Sequence, residues 1–115
     1  MRVTTDFWVS SIVRRAFSEG GFAAIMRRGA SEAGAVILLA RGRTGESRLF
    51  MPAPQSNYEE SRPVDRVFVE VLHSADEEEI SKKIEREQKF DPDLWVVELE
   101  VGEATFEKLV TVMTP

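Results

Sequence analysis

The sequence predicts an α+β fold: a single domain over 1–115 with an antiparallel sheet of about five strands, an N-terminal helix and a second, charged helix before the last strand. Three observations carry that prediction. Val9, Ile12, Val13, Ala16 and Phe17 recur at helical spacing near the start. Short apolar runs separated by glycine-containing connections follow them. The segment 74–90 is densely charged, with only Ile80 and Ile84 to mark a buried side. With 115 residues, 43% of them hydrophobic and 30% charged, the chain has the composition of an ordinary globular domain with one core.

Taken in order, "TTDFWVSSIVRRAFSEGG" is a helix with Thr5 or Asp6 placed to cap it and Gly20 with Gly21 to end it. Ser11, Arg14 and Ser18 fall on its solvent side. "FAAIMRR", "AVILLAR" and "RLFMP" are joined by two six-residue connections, "GASEAG" and "GRTGES", which predicts a three-stranded antiparallel meander. The middle run is apolar from Ala35 to Ala40, the pattern of a central strand covered on both faces. If the helices cover one face, then the tail, a long loop or another subunit must close the second, and the last option implies a homodimer.

Residues 52–65, "PAPQSNYEESRPVD", hold three of the five prolines and read as a long loop. "RVFVEVLH" then sets Val67, Val69 and Val71 on one face of a strand. In "SADEEEISKKIEREQKF", Ser74 followed by Glu77 has the capping-box spacing. Glu78 with Lys82, Glu79 with Lys83 and Glu85 with Lys89 are spaced as i,i+4 ion pairs. "LWVVELEV" alternates, with Trp95, Val97, Leu99 and Val101 on one side and Val96, Glu98 and Glu100 on the other. The tail fits a helix through Phe106, Leu109, Val110 and Met113, and a strand through Val110, Thr111 and Val112. Both readings stay open.

Composition excludes several functions. The chain has no cysteine, so thiolate catalysis, thiolate metal sites and disulfides are ruled out, which suits a reducing, cytoplasmic setting. No apolar run approaches the ~20 residues of a bilayer span. A secretory signal is not expected either, because Asp6 precedes the first apolar stretch and Arg14 with Arg15 ends it. Residues 1–66 carry +3 and residues 67–115 carry −8, a split best explained by halves that attract each other. A pI near 5.0 opposes a nucleic-acid partner, whose binding domains typically lie above ~9.

Among candidate sites, Asp91-Pro92-Asp93 reads as a turn between a helix and a strand, since proline presets φ and an aspartate binds nearby backbone amides. The catalytic alternative is a small enzyme using Asp91, Asp93 and His73, the one histidine. No phosphate-binding glycine loop and no serine-nucleophile motif is present, and neither a cofactor nor a metal site is predicted. Arginine outnumbers lysine eleven to four, and ten of the eleven precede residue 67. Arg27 and Arg28 are expected at one end of the sheet and Arg41, Arg43 and Arg48 at the other. An anion or nucleic-acid site through Arg14, Arg15, Arg27 and Arg28 is the third reading.

The order of these motifs resembles the domain-of-unknown-function family numbered 1491, short bacterial proteins. The resemblance is carried by Trp8-Val9-Ser10 with Arg14 and Arg15, Arg28-Gly29, Ala33-Gly34-Ala35-Val36, Pro52-Ala53-Pro54-Gln55, and Phe90 through Glu98. It implies a cytoplasmic bacterial protein and supplies no catalytic or ligand residue. The leading expectation is therefore a non-enzymatic binding or adaptor module for a protein partner. Its contact surface would comprise Arg27, Arg28, Pro52, Pro54, Gln55 and Tyr58, because a proline-rich segment is already extended and loses little entropy on docking.

Overall fold

In the computed structural model, which describes residues 3–54 and 66–113, the first helix forms where the apolar stripe demands it. α1 (Thr5–Ser18) buries Val9, Ile12 and Ala16. Its cap is Thr4 rather than Thr5 or Asp6: the Thr4 hydroxyl accepts from the Phe7 amide at 3.1 Å. Thr5 is fully buried instead, donating to the Gly34 carbonyl and accepting from the Arg66 guanidinium, both at 2.8 Å. Phe17 departs from the predicted stripe and lies half exposed.

Six strands follow: β1 (Phe22–Arg27), β2 (Val36–Arg41), β3 (Ser47–Pro52), β4 (Val67–Ser74), β5 (Trp95–Glu100) and β6 (Thr111–Val112). Their order is β1-β5-β2-β3-β4-β6, with β2/β5 and β4/β6 parallel and the other pairs antiparallel. The sheet is thus mixed, and the expected meander holds for β2-β3-β4 rather than for β1-β2-β3. The reason is α2 (Glu77–Phe90), which carries the chain from the end of β4 back along the sheet, so that β5 enters beside β2 and runs the same way. Trp95, Val96, Val97 and Leu99 are all buried, so β5 takes the interior position and displaces β1 to the margin.

The two faces are closed by different helices. α1 and α3 (Glu103–Leu109) pack on Val36, Leu38, Phe50, Phe68, Trp95, Val97 and Leu99, whereas α2 sets Ile80 and Ile84 on Ile37, Leu39, Leu49 and Val96. Each fully buried side chain of this size stabilises by about 1.5–3 kcal/mol. The second face therefore needs no other subunit to cover it. The tail is both things its residues allow, a short helix and then the two residues of β6.

Local details differ from expectation where a side chain finds a nearer partner. Asp76 caps α2 by accepting from the Glu78 amide, and Ser74 hydrogen-bonds Glu79, so the Ser74–Glu77 box does not form. Of the three predicted helix pairs, Glu78–Lys82 is present at 3.5 Å, while Lys83 pairs with Glu87 at 3.1 Å. A register shift in β4 leaves Val71 as an extra, exposed residue, off the face of Val67 and Val69.

Candidate functional site

The Asp91-Pro92-Asp93 segment is a turn built from its own carboxylate. The Asp93 amide donates to Asp91 Oδ1 at 3.0 Å and the Leu94 amide to the Asp91 carbonyl at 3.2 Å. The far side of the turn is held by the loop after β1. The Ala30 amide donates to the Asp93 carbonyl at 3.0 Å, and Trp95 Nε1 donates to the Ala30 carbonyl at 2.7 Å. Arg27 donates to the carbonyls of Pro92 at 3.0 Å and Leu94 at 3.5 Å.

His73 sits at the other end of the sheet. Its strand register aligns it with Arg48, Ala40 and Leu99, six positions beyond Asp93, or roughly 20 Å along the strands. It pairs with Glu46 at 2.6 Å. Asp91, Asp93 and His73 are thus not brought together, and no group of three or more metal-ligating side chains forms among the described residues.

The arginines are dispersed and mostly engaged within the fold. Arg28 meets Asp6 at 3.1 Å and lies over the Trp95 ring at 5.2 Å. Arg14 and Arg15 lie at least eight residues further along α1 than Asp6, about 12 Å away, so the four arginines of the anion reading do not converge. Pro52 and Pro54 lie at the same end of the sheet as Arg27, but β5 and β2 intervene, a separation of about 14 Å. Gln55 and Tyr58 lie outside the described residues.

At the opposite end, a groove of about 630 Å³ gathers Arg41, Arg43 and Arg48, the clustering expected from the sequence, and adds His73 to them. Most of its cations bring their own counter-charges. Arg41 binds Glu98 at 2.5 Å and Glu77 at 2.6 Å, and Arg48 binds Glu70 at 2.6 Å. The Glu77 hydrogen bond is the main cause that raises the Arg41 pKa above its ordinary value. The groove is therefore more a wall of paired cations than an open anion site, and through Glu77 its Arg41 clamps α2 to the sheet.

The surface that sequence reasoning missed is the margin formed by β1. Among the described residues its outer edge pairs with no other strand, and Phe17, Phe22 and Met26 along it are 51%, 45% and 50% exposed. Phe17 and Phe22 meet edge to face at 5.8 Å. The signal was present in "FAAIM", an uncharged run, but the strand order beyond the meander was open, so nothing in the sequence said which strand ends the sheet.

The sequence model of the family described as protein of unknown function (DUF1491) matches residues 3–107, and the chain belongs to that family. The match includes the middle of the chain, where no motif was recognised. Protein Atu0922 from A. tumefaciens, solved in solution, is similar at 40% identity with a TM-score of 0.83, over 100% of this chain and 98% of that one. A crystal structure of a DUF1491 family protein from Caulobacter crescentus is 36% identical with a TM-score of 0.72, over 88% of each chain. An NMR structure of a DUF1491 family protein from the same organism is 34% identical with a TM-score of 0.78, over 98% of each. No curated protein matches the sequence.

Proposed function

We propose that this DUF1491 protein is a non-enzymatic binding module that accepts an extended strand along β1. One observation carries the reading. β1 is a six-residue edge with no charged side chain from Phe22 to Met26, flanked by exposed aromatic and thioether groups. Sheet edges are normally protected by charge, by proline, by a bulge or by brevity, as β6 is by its two residues, and the bulge of β1 lies at its far end, between Ile25 and Arg27. An edge left long, uncharged and apolar is the surface used in strand addition, where backbone hydrogen bonds hold the partner and side-chain contacts select it.

Arg27 and Arg28 close the far end of that edge with positive charge. The absence of cysteine suits a cytoplasmic setting.

Photo-crosslinking side chains placed at Phe22, Met26 and, as a control, exposed Glu85 of α2 test the reading in cells of the source organism. Protein adducts are expected at the first two positions and not at the third. If Phe22 and Met26 trap nothing, the β1 surface is refuted.

A further inference from the structure

We infer that the strand accepted along β1 is β1 of a second copy, giving a two-fold symmetric dimer with one continuous sheet. This rests on the binding reading above and names its partner. Ala23 and Ile25 pack in the core beneath α1, so Phe22 and Ala24 face the other way, opposite Glu100 and Glu98 of β5. The register shift between Ile25 and Arg27 leaves Met26 as the extra residue, half exposed. A two-fold axis through Ala24 then sets each Ala24 against its counterpart, each Phe22 against the other copy's Met26, and each Ala23 against the other copy's Ile25.

Every opposed pair in that register is apolar. Small side chains meet at the axis, where the two backbones must approach, and sulfur meets aromatic ring at both ends. From Ala23 to Ile25 the register pairs residues of the same parity, so hydrogen-bonding and non-hydrogen-bonding positions coincide across the axis, and the bulge at Met26 ends the ladder there and leaves the Phe22–Met26 contact to side chains. The ends agree in sign too. β1 begins just after Glu19, whose carboxylate also meets Lys108 at 3.3 Å, and ends at Arg27 and the exposed Arg28, so antiparallel pairing brings the start of one copy to the basic end of the other. A strand that fits this edge must be uncharged, small at its centre, large at both ends and oppositely charged beyond them, and β1 itself meets each requirement. Phe17, already in contact with Phe22, extends the apolar contact around the edge.

Three half-exposed side chains and six backbone residues fall short of the ~800 Å² per partner of a standard interface. The dimer is accordingly weak, with a dissociation constant on the order of 10–100 μM.

Sedimentation of the full chain from about 1 μM to about 1 mM, spanning that range, should show a dimer fraction that rises with concentration. Ala24→Lys and Ala24→Glu each place like charges across the axis and should weaken association by about tenfold or more. An equimolar mixture of the two should recover it, because the opposed charges then attract. Circular dichroism and thermal melts confirm that each variant is folded. The lysine variant is the cleaner arm, since Ala24 lies opposite Glu98 in the β5 register. A wild-type chain monomeric to ~1 mM, folded variants that dimerise as wild type does, or a mixture without recovery would each overturn the inference. A monomeric chain that still gives adducts with another protein at Phe22 removes the second copy and leaves the binding reading standing; a chain with neither loses both.

Discussion

Gly29→Ala is expected to be the most damaging single methyl group that can be added to this protein. A Cβ at Gly29 runs into the Asp93 carbonyl group and the Leu94 carbonyl carbon, backbone atoms of a turn held from both sides. Neither side yields cheaply, because the Ala30 amide is bonded to Asp93 at 3.0 Å and Trp95 Nε1 to the Ala30 carbonyl at 2.7 Å. Overpacking of this kind costs about 1–3 kcal/mol, and losing one of those hydrogen bonds adds about 1 kcal/mol. The sum, about 2–4 kcal/mol, is a large part of the ~5–15 kcal/mol that holds a domain folded. At about 2.1 cal/mol/K per residue, a chain of this length should lose roughly 8–16 °C in Tm. Urea unfolding followed by circular dichroism measures the change directly. Gly45→Ala is the comparison: its φ of +90° strains any side chain but the space is open, so about 1 kcal/mol is expected. A Gly29→Ala protein within ~0.5 kcal/mol of wild type, or less affected than Gly45→Ala, would refute the docking of the turn.

The other predictions concern the clamp, the caps and the turn. Arg41→Met should cost about 1–2 kcal/mol, between exposed and buried pairs, because Arg41 and Glu98 are 29% and 16% exposed; Arg41→Met with Glu98→Gln should regain most of it in a double-mutant cycle by urea unfolding. Gly102→Ser should stabilise by about 0.5 kcal/mol in the same assay, since Gly102 is the N-cap of α3 at φ −63°, ψ 159°, with no side-chain cap and open space around it. Asp91→Ala should cost about 0.5–1 kcal/mol through the lost bond from the Asp93 amide, and should leave sedimentation unchanged, because the turn is not on the β1 margin.

Elements were legible where the information is local. The α1 stripe, the charged α2 and the alternation in β5 announce themselves at periods of 3.6 and 2, and each is where its residues placed it. The punctuating role of Asp91 and Asp93 was legible too, since an aspartate-proline turn needs only neighbours in sequence. Strand order was not. A six-residue loop sets the direction of the next strand but does not say whether a later strand will enter between the two, and only the burial of β5 on both faces decides that. Helix caps failed for a related reason: Thr4 and Asp76 won over Thr5 and Ser74 because Thr5 was needed by Gly34 and Ser74 by Glu79. The free β1 edge was not legible for the same reason, since only the full strand order shows that no later strand pairs outside β1 among the described residues.

Three of the segments that carry the family resemblance, Arg28-Gly29, Gly34-Ala35 and Asp93 to Trp95, meet in one place, and the place has a structural task. Gly29 and Gly34 both lie against the Asp93 carbonyl, Arg28 lies over Trp95, and the Trp95 amide donates to the Ala35 carbonyl at 2.8 Å. The Thr5 hydroxyl closes the set on Gly34, tying α1 to the same end of the sheet. β1, β2 and β5 must enter or leave that end together with α1, and the two glycines are what allow their backbones to pass so closely. The glycines, Thr5 and Trp95 committed to that packing are poor candidates for contacts with another molecule, because their polar atoms already have partners and their removal would be felt as lost stability. A contact surface on this fold is better sought where backbone groups and apolar side chains are left without partners; β1 offers such an edge without charge from Phe22 to Met26, whereas the stretch of β4 beyond its two pairs with β6 carries Glu70 and His73.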